Sequence, residues 1–197
     1  MRLADARKDQ YRRLAKDQGY RARSAYKLLQ LNSSYRILKK GNKVVDLGCA
    51  PGGWLQVAAK EVGPAGKVIG IDIKPVEPVA GAIVLPGSIE DSRMLAKITD
   101  ILGGKADAVL SDLAPNVSGV WDIDHARQIS LSTVALGFAR HVLREDAIAV
   151  FKVFEGDMLN EFRAELKMSF GRVFLSKPSA SRQQSSELYI VCLDFKS

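Results

Sequence analysis

The chain has only two cysteines, two histidines and two tryptophans in 197 residues, and these scarcities exclude a good deal. Cys49 and Cys192 are far apart and match no zinc-ligand spacing, so both read as free thiols in a reducing compartment. His125 and His141 fall on one predicted helix and do not form a metal pair, so no metal is expected. No apolar run approaches the length of a membrane span. The opening "MRLADARKDQYRR" lacks the apolar stretch of a secretion signal. The expectation is a cytoplasmic protein with no membrane contact. A P-loop, a G-x-S-x-G nucleophile elbow, internal repeats and low-complexity tracts are all missing.

What is there is unevenly distributed. The formal net charge is +7, yet the first 40 residues carry 12 Lys and Arg against three acids, and the remainder is slightly acidic. Tyr11, Tyr20, Tyr26 and Tyr35 interleave with those cations. Arginine and lysine neutralise phosphates, and tyrosines stack on unpaired bases. The same pattern also fits a solvated helix face with its tyrosines packed inward, so charge alone leaves both readings open. Length and composition suit one domain, with residues 1–40 as a basic helical segment and 41–197 as the body. Ser24 is expected to cap a short helix from Ala25 to Leu31.

From Lys43 onward apolar runs alternate with helical spacing. "KVVDLG", "KVIGIDI", "AIVLPG", "ADAVLSDLAP", "AIAVFKVF", "RVFLSKP" and "ELYIVCLDF" read as strands. "WLQVAAKEV", "SRMLAKITDIL", "DHARQISLSTVALGFARHVL" and "LNEFRAELKMSF" read as helices. Continuous apolar strands alternating with helices predict an α/β, doubly wound, mostly parallel sheet covered on both faces. Ligands of such sheets sit at the carboxyl ends of the strands. The last two strands lack a clear helix between them, which predicts an antiparallel pair at one edge.

The loop in "VVDLGCAPGGW" comes close to a dinucleotide fingerprint but places Ala50 and rigid Pro51 where a pyrophosphate would need a second glycine. Asp46, just before it, would repel phosphate and attract an amino group. Asp72, at the end of the next strand, is well placed for the two hydroxyls of a ribose, with a helix-capping acid as the alternative. Lys152 stands inside an apolar strand, where a lysine needs either a partner or a route to solvent. Asp112 ends the neighbouring strand, Glu187 opens the last one, and Lys27 lies in the basic segment. Trp54 fits a cofactor edge and Trp121 a loop or substrate-side aromatic, and both equally fit ordinary packing.

Taken in order, "GYRARSAYKL", "VVDLGCAPGGW", "GIDIKP", "VLSDLAPNVSG", "FKVFEG" and "KPSASRQQSSELYIVC" resemble the FtsJ/RrmJ family of RNA ribose 2′-O-methyltransferases, over nearly the whole chain. The resemblance implies a Rossmann-like sheet of seven strands with the last inserted antiparallel, and S-adenosylmethionine as methyl donor. It also implies a catalytic lysine–aspartate–lysine–glutamate tetrad on Lys27, Asp112, Lys152 and Glu187. The donor site would fall on Asp46, Gly48, Pro51, Gly52, Gly53, Trp54, Asp72 and Asp112. One position departs from the pattern: Ser88 stands where the family has an acid for the adenine amino group.

Methyl transfer to a ribose needs the 2′-hydroxyl oriented and its proton removed. Lys152 is expected to orient that hydroxyl, either as the proton acceptor or as a hydrogen-bonding and electrostatic group. RNA rather than DNA follows, because only RNA carries the hydroxyl. Arg12, Arg13, Arg21, Arg23 and Arg182 are the expected RNA contacts, helped by Arg172 and Lys177. Large-subunit ribosomal RNA is the first expectation for the substrate, and the tRNA anticodon loop the alternative. The rival classes are an NAD-dependent oxidoreductase, which Ala50 and Pro51 disfavour, and a non-catalytic RNA-binding module, which would tolerate loss of Lys152. A monomer is the working expectation. If the basic segment neutralises six or more phosphates, affinity for RNA should fall about 10³-fold or more between 50 and 200 mM salt in a filter-binding assay. A flat response would remove the segment from the RNA interface.

Overall fold

The computed structural model describes residues 3–182 and 184–197. Arg2 lies outside them, as do the side chains of Arg7 and Lys8. Two helices, α1 (Leu3–Asp17) and α2 (Ala25–Tyr35), precede β1 (Lys43–Leu47), α3 (Gly53–Val62), β2 (Lys67–Asp72) and β3 (Ala82–Pro86). There follow α4 (Ser92–Leu102), β4 (Ala106–Ser111), α5 (Trp121–Val142), β5 (Leu143–Phe154), α6 (Leu159–Ser169), β6 (Phe170–Ser176) and β7 (Glu187–Phe195). Each apolar run expected as a strand forms one. Helix α2 runs on to Tyr35, and the Ser24 hydroxyl makes no capping bond: the Ser24 carbonyl, not the side chain, accepts from Lys27 N–H at 3.0 Å.

The strands form one sheet in the order β3-β2-β1-β4-β5-β7-β6. β3, β2, β1, β4 and β5 pair in parallel, while β7 runs antiparallel to both β5 and β6. The expected β6–β7 pair is at the edge, and β7 is the strand that is reversed. The strand order turns back between β1 and β4, which opens a crevice above their carboxyl ends.

Alternation along each strand sorts side chains between two cores. Val45, Val109, Phe151 and Cys192 face α4, α5 and α6. Val44, Leu110, Val150 and Tyr189 face α2 and α3. Ala25, Leu28 and Leu31 make α2 part of that second core, so the end of the basic segment is packed onto the body. Both cysteines are buried, and burial pushes the Cys49 thiol up to about 12.

Gly70 is where the loop after β1 meets β2. A Cβ there would lie 2.7 Å from Cys49 Sγ and 2.8 Å from two methyls of Leu55, all of them buried. Gly70→Ala should therefore cost about 1–3 kcal/mol of stability in a urea unfolding curve. An unchanged midpoint would mean that this junction is looser than its contacts indicate.

Candidate active site

Two buried lysines meet two carboxylates and a phenol at the carboxyl edge of the sheet. Period-two geometry points Lys152 toward the α2 side, with Val150, and pairs it across the strands with Tyr189. Lys152 is 7% exposed. Its Nζ donates to the Asp112 carbonyl at 2.6 Å and pairs with Asp112 Oδ1 at 3.2 Å. Lys27 reaches in from α2, also 7% exposed, to form an ion pair with Glu187 Oε1. It lies 3.3 Å from the Tyr189 hydroxyl. Tyr189 Oη is 2.9 Å from Asp112 Oδ1 and 3.2 Å from Glu187 Oε1, so its single proton can serve one carboxylate at a time. All four residues expected in the tetrad are thus in one network, and Tyr189 joins its two halves.

Burial shapes the charges. It raises the Tyr189 phenol well above its ordinary value, helped by Asp112 and Glu187, so the hydroxyl stays protonated as a donor. Burial alone would also raise Glu187. The Lys27 ammonium, with Lys152 and the Tyr189 hydroxyl, outweighs that and holds the carboxyl below its ordinary value.

Tyr189 was absent from the expected site, although a signal for it exists. It sits two residues beyond Glu187 and shares its face. Two further residues were missed on α5. β4 pairs with β5 only as far as Phe151, which leaves the Lys152 carbonyl beyond the ladder. Gln128 Nε2 and Ser132 Oγ donate to it at 2.9 and 3.0 Å, so the backbone that carries the lysine is fixed by buried side chains.

Beside this network a cleft of about 840 Å³ opens at the reversal of strand order. Gly48, Ala50, Pro51, Asp72, Asp112 and Lys152 line it, along with residues 73–75 and 113–116. It falls within the size range of cofactor pockets. Asp72 braces its rim, accepting from Ala50 N–H and Lys74 N–H, each at 2.8 Å. A Cβ on Gly48, at φ +76°, would collide with Leu113, so only glycine lets the two rims approach.

The other expected donor-site residues do not line the cleft. Gly52 and Gly53 form the start of α3 against Arg21 and Ala22. Trp54 is buried, donates Nε1–H to the Ser24 carbonyl at 2.8 Å and packs on Tyr189. Ser88 accepts from Glu90 N–H within its own turn. Asp46 is fully buried beneath the cleft, and among the described residues neither carboxyl oxygen has a hydrogen-bond partner.

The basic residues also separate. Arg21 donates to the carbonyls of Pro51, Glu77 and Pro78, tying the helical segment to the loops around the cleft. Arg23 is close enough to Arg182 and Glu187 to feel their charges, and burial lowers its guanidinium from its ordinary value. Arg12 and Arg13 are exposed on α1. Arg172 pairs with Asp194, and Lys177 Nζ donates to the Ser185 carbonyl. Among the described residues no cluster of His, Cys, Asp and Glu could hold a metal, and no helix is long and apolar enough to cross a membrane.

A Rossmann-like sheet with one reversed strand, a cleft at its switch point and a lysine–carboxylate network beside it define a methyltransferase architecture. The FtsJ-like methyltransferase family matches residues 20–195, and the chain belongs to it. It is 53% identical over 195 residues to ribosomal RNA large subunit methyltransferase E of Nitrosopumilus maritimus, covering 99% of both chains. It is 50% identical to the protein of that name from Cenarchaeum symbiosum, across the full length of both. Among solved structures, a protein described as a ribosomal RNA methyltransferase from Plasmodium falciparum superposes with a TM-score of 0.79. The two are 32% identical, over 89% of this chain and 98% of the other.

Asp46 yields a pH signature. Burial, then the charges of Asp112 and Asp72, push its carboxyl well above its ordinary value. The folded state therefore keeps this proton to higher pH than the unfolded chain, which releases it above about pH 4, so the contribution of Asp46 to stability falls as pH rises beyond that. Asp46→Asn has no such proton. Thermal unfolding should find it more stable than wild type at pH 8, with the advantage shrinking toward pH 4. A difference independent of pH would place an ionised carboxylate in the folded core.

Proposed function

We propose that this protein transfers a methyl group from S-adenosylmethionine to a ribose 2′-hydroxyl of RNA, with large-subunit ribosomal RNA as the substrate. The observation that carries the reading is the buried Lys27–Glu187–Tyr189–Asp112–Lys152 network opening onto the cleft. Family membership and the names of the full-length relatives support the donor and the RNA class.

The cleft suits the donor: it is large enough, two acids with free lone pairs line it, and Gly48 lets its rims close on a flat ligand. Gly48, Ala50, Pro51, Asp72 and Asp112 would hold it. When bound, S-adenosylmethionine supplies an electrophilic methyl on a sulfonium that leaves as a neutral thioether. The harder task belongs to the protein, because a ribose hydroxyl is a poor nucleophile until its proton is drawn away.

Among the described residues Lys152 Nζ has two polar contacts, both to Asp112. As an amine it would use both N–H groups on Asp112 and turn its lone pair toward the incoming hydroxyl. That pair would accept the 2′ proton as the oxygen–carbon bond forms. Asp112 fixes the direction of the lone pair, and Gln128 and Ser132 fix the backbone behind it. Lys27 and Glu187 balance each other's charge and, through Tyr189, hold Asp112 in place. Arg23 and Arg182, beside Glu187, would take phosphates flanking the acceptor.

Methyl incorporation into ribosomal RNA tests the assignment. Lys152→Ala should lower turnover by about 100-fold or more while leaving RNA affinity nearly unchanged. Lys152→Arg keeps the charge but cannot accept a proton, so it should be as inactive as the alanine variant. Near-normal turnover in Lys152→Ala would remove the lysine from the chemistry, and activity in Lys152→Arg would reduce its role to electrostatics.

A further inference from the structure

A half-exposed aromatic group lies next to the lysine network and takes no part in it. Trp121 is 46% exposed at the first position of α5. Its ring stacks on Phe154 and on His125, each with centroids 6.0 Å apart and planes 26° and 18° from parallel. At that spacing the rings are offset, which leaves part of the indole open. Phe154 is two residues beyond Lys152 on β5, about 7 Å along the strand and on the same face. It pairs across the strands with Glu187. The ledge therefore continues directly from the network.

The ledge is held firmly. Asp124 accepts from Ser118 N–H at 2.6 Å, Ser118 Oγ at 2.8 Å and Gly119 N–H at 3.0 Å, which fastens the loop leading into Trp121. His125 is buried behind the indole and accepts from Met158 N–H at 3.2 Å. A Cβ on Gly156 would come within 2.6 Å of the imidazole, so glycine is needed for that approach. Val117, Val120, Ile123 and Met158 extend an exposed apolar surface around it. A rigid, partly open aromatic surface of this kind calls for a ligand with a flat apolar face.

We propose that Trp121 and Phe154 form a stacking ledge for an unpaired base flanking the acceptor nucleotide. This rests on the RNA reading above. A base is the occupant because, on that reading, the neighbouring network takes the ribose, and Arg23 and Arg182 take the flanking phosphates. The aromatic ledge supplies the one missing kind of contact to a single strand, a π-surface. Stacking tolerates any base, so the ledge would hold the strand in register while other contacts choose the nucleotide.

Kinetics on ribosomal RNA and intrinsic fluorescence test this together. Trp121→Ala should lower kcat/KM for RNA by about 5- to 150-fold, as loss of one base stack does elsewhere. Its affinity for S-adenosylmethionine, by calorimetry, should be unchanged, and Trp121→Phe should retain most of the activity. In the wild type, a saturating single-stranded RNA should quench Trp121 emission, with buried Trp54 as the internal standard, and the quench should vanish in Trp121→Phe. Wild-type rates in Trp121→Ala, equal losses in the alanine and phenylalanine variants, or no quench on RNA binding would each overturn the ledge. A wild-type protein that binds the donor but methylates no RNA would overturn the parent reading, and the ledge with it.

Discussion

Two lysine side chains are buried at the carboxyl edge of this sheet, and the arrangement around them follows from the need to match each with a carboxylate. A buried lysine without a partner is strongly disfavoured. Here Lys27 is matched by Glu187 and Lys152 by Asp112, with the Tyr189 hydroxyl between the pairs. No single element could supply all five groups. Lys27 requires α2 to close over the sheet, Asp112 requires β4 to end where it does, and Glu187 and Tyr189 require β7 to start at the same edge. The reversal of β7 meets the last requirement. A parallel strand would bring its carboxyl end there, whereas an antiparallel one brings its first residues.

The same economy appears around the cleft. Asp72 accepts two backbone N–H groups, and Arg21 donates to three carbonyls, so charged side chains near the proposed donor site shape loops. A rigid rim would align a bound methyl donor with its acceptor without reorganisation during the proposed reaction. Asp46 sits under that rim, its carboxyl pushed well above its ordinary range by burial and by the charges of Asp112 and Asp72. A buried carboxyl with no partner is a cost that the fold carries at this spot.

Much of this could be read from the chain. Alternating apolar runs with loops at their ends disclosed the sheet, and Lys152 stood out because a lysine in an apolar strand demands an explanation. What stayed hidden was non-local. That "ELYIVCLDF" slides between β5 and β6 follows from the family resemblance and not from its own residues, since that choice depends on strands far away in sequence. Tyr189 looked like one more apolar strand residue until its face was known. Arg21 looked like a phosphate contact because carbonyl partners leave no mark on composition. Trp54 and Ser88 follow from motif position alone, and the sequence does not show that their side chains meet Ser24, Tyr189 and Glu90. Trp121 was visible, but its relation to Lys152 came only with the register of β5 and the stacking on Phe154.

The central claim is that the methyl group goes to a ribose oxygen of RNA. The most direct measurement is incubation of the protein with methyl-labelled S-adenosylmethionine and ribosomal RNA, followed by complete alkaline hydrolysis and chromatography. Alkaline cleavage needs a free 2′-hydroxyl, so label on that oxygen survives in dinucleotides, and recovery of the label in dinucleotides is the predicted result. Label recovered in mononucleotides would place the methyl group on a base and contradict the account.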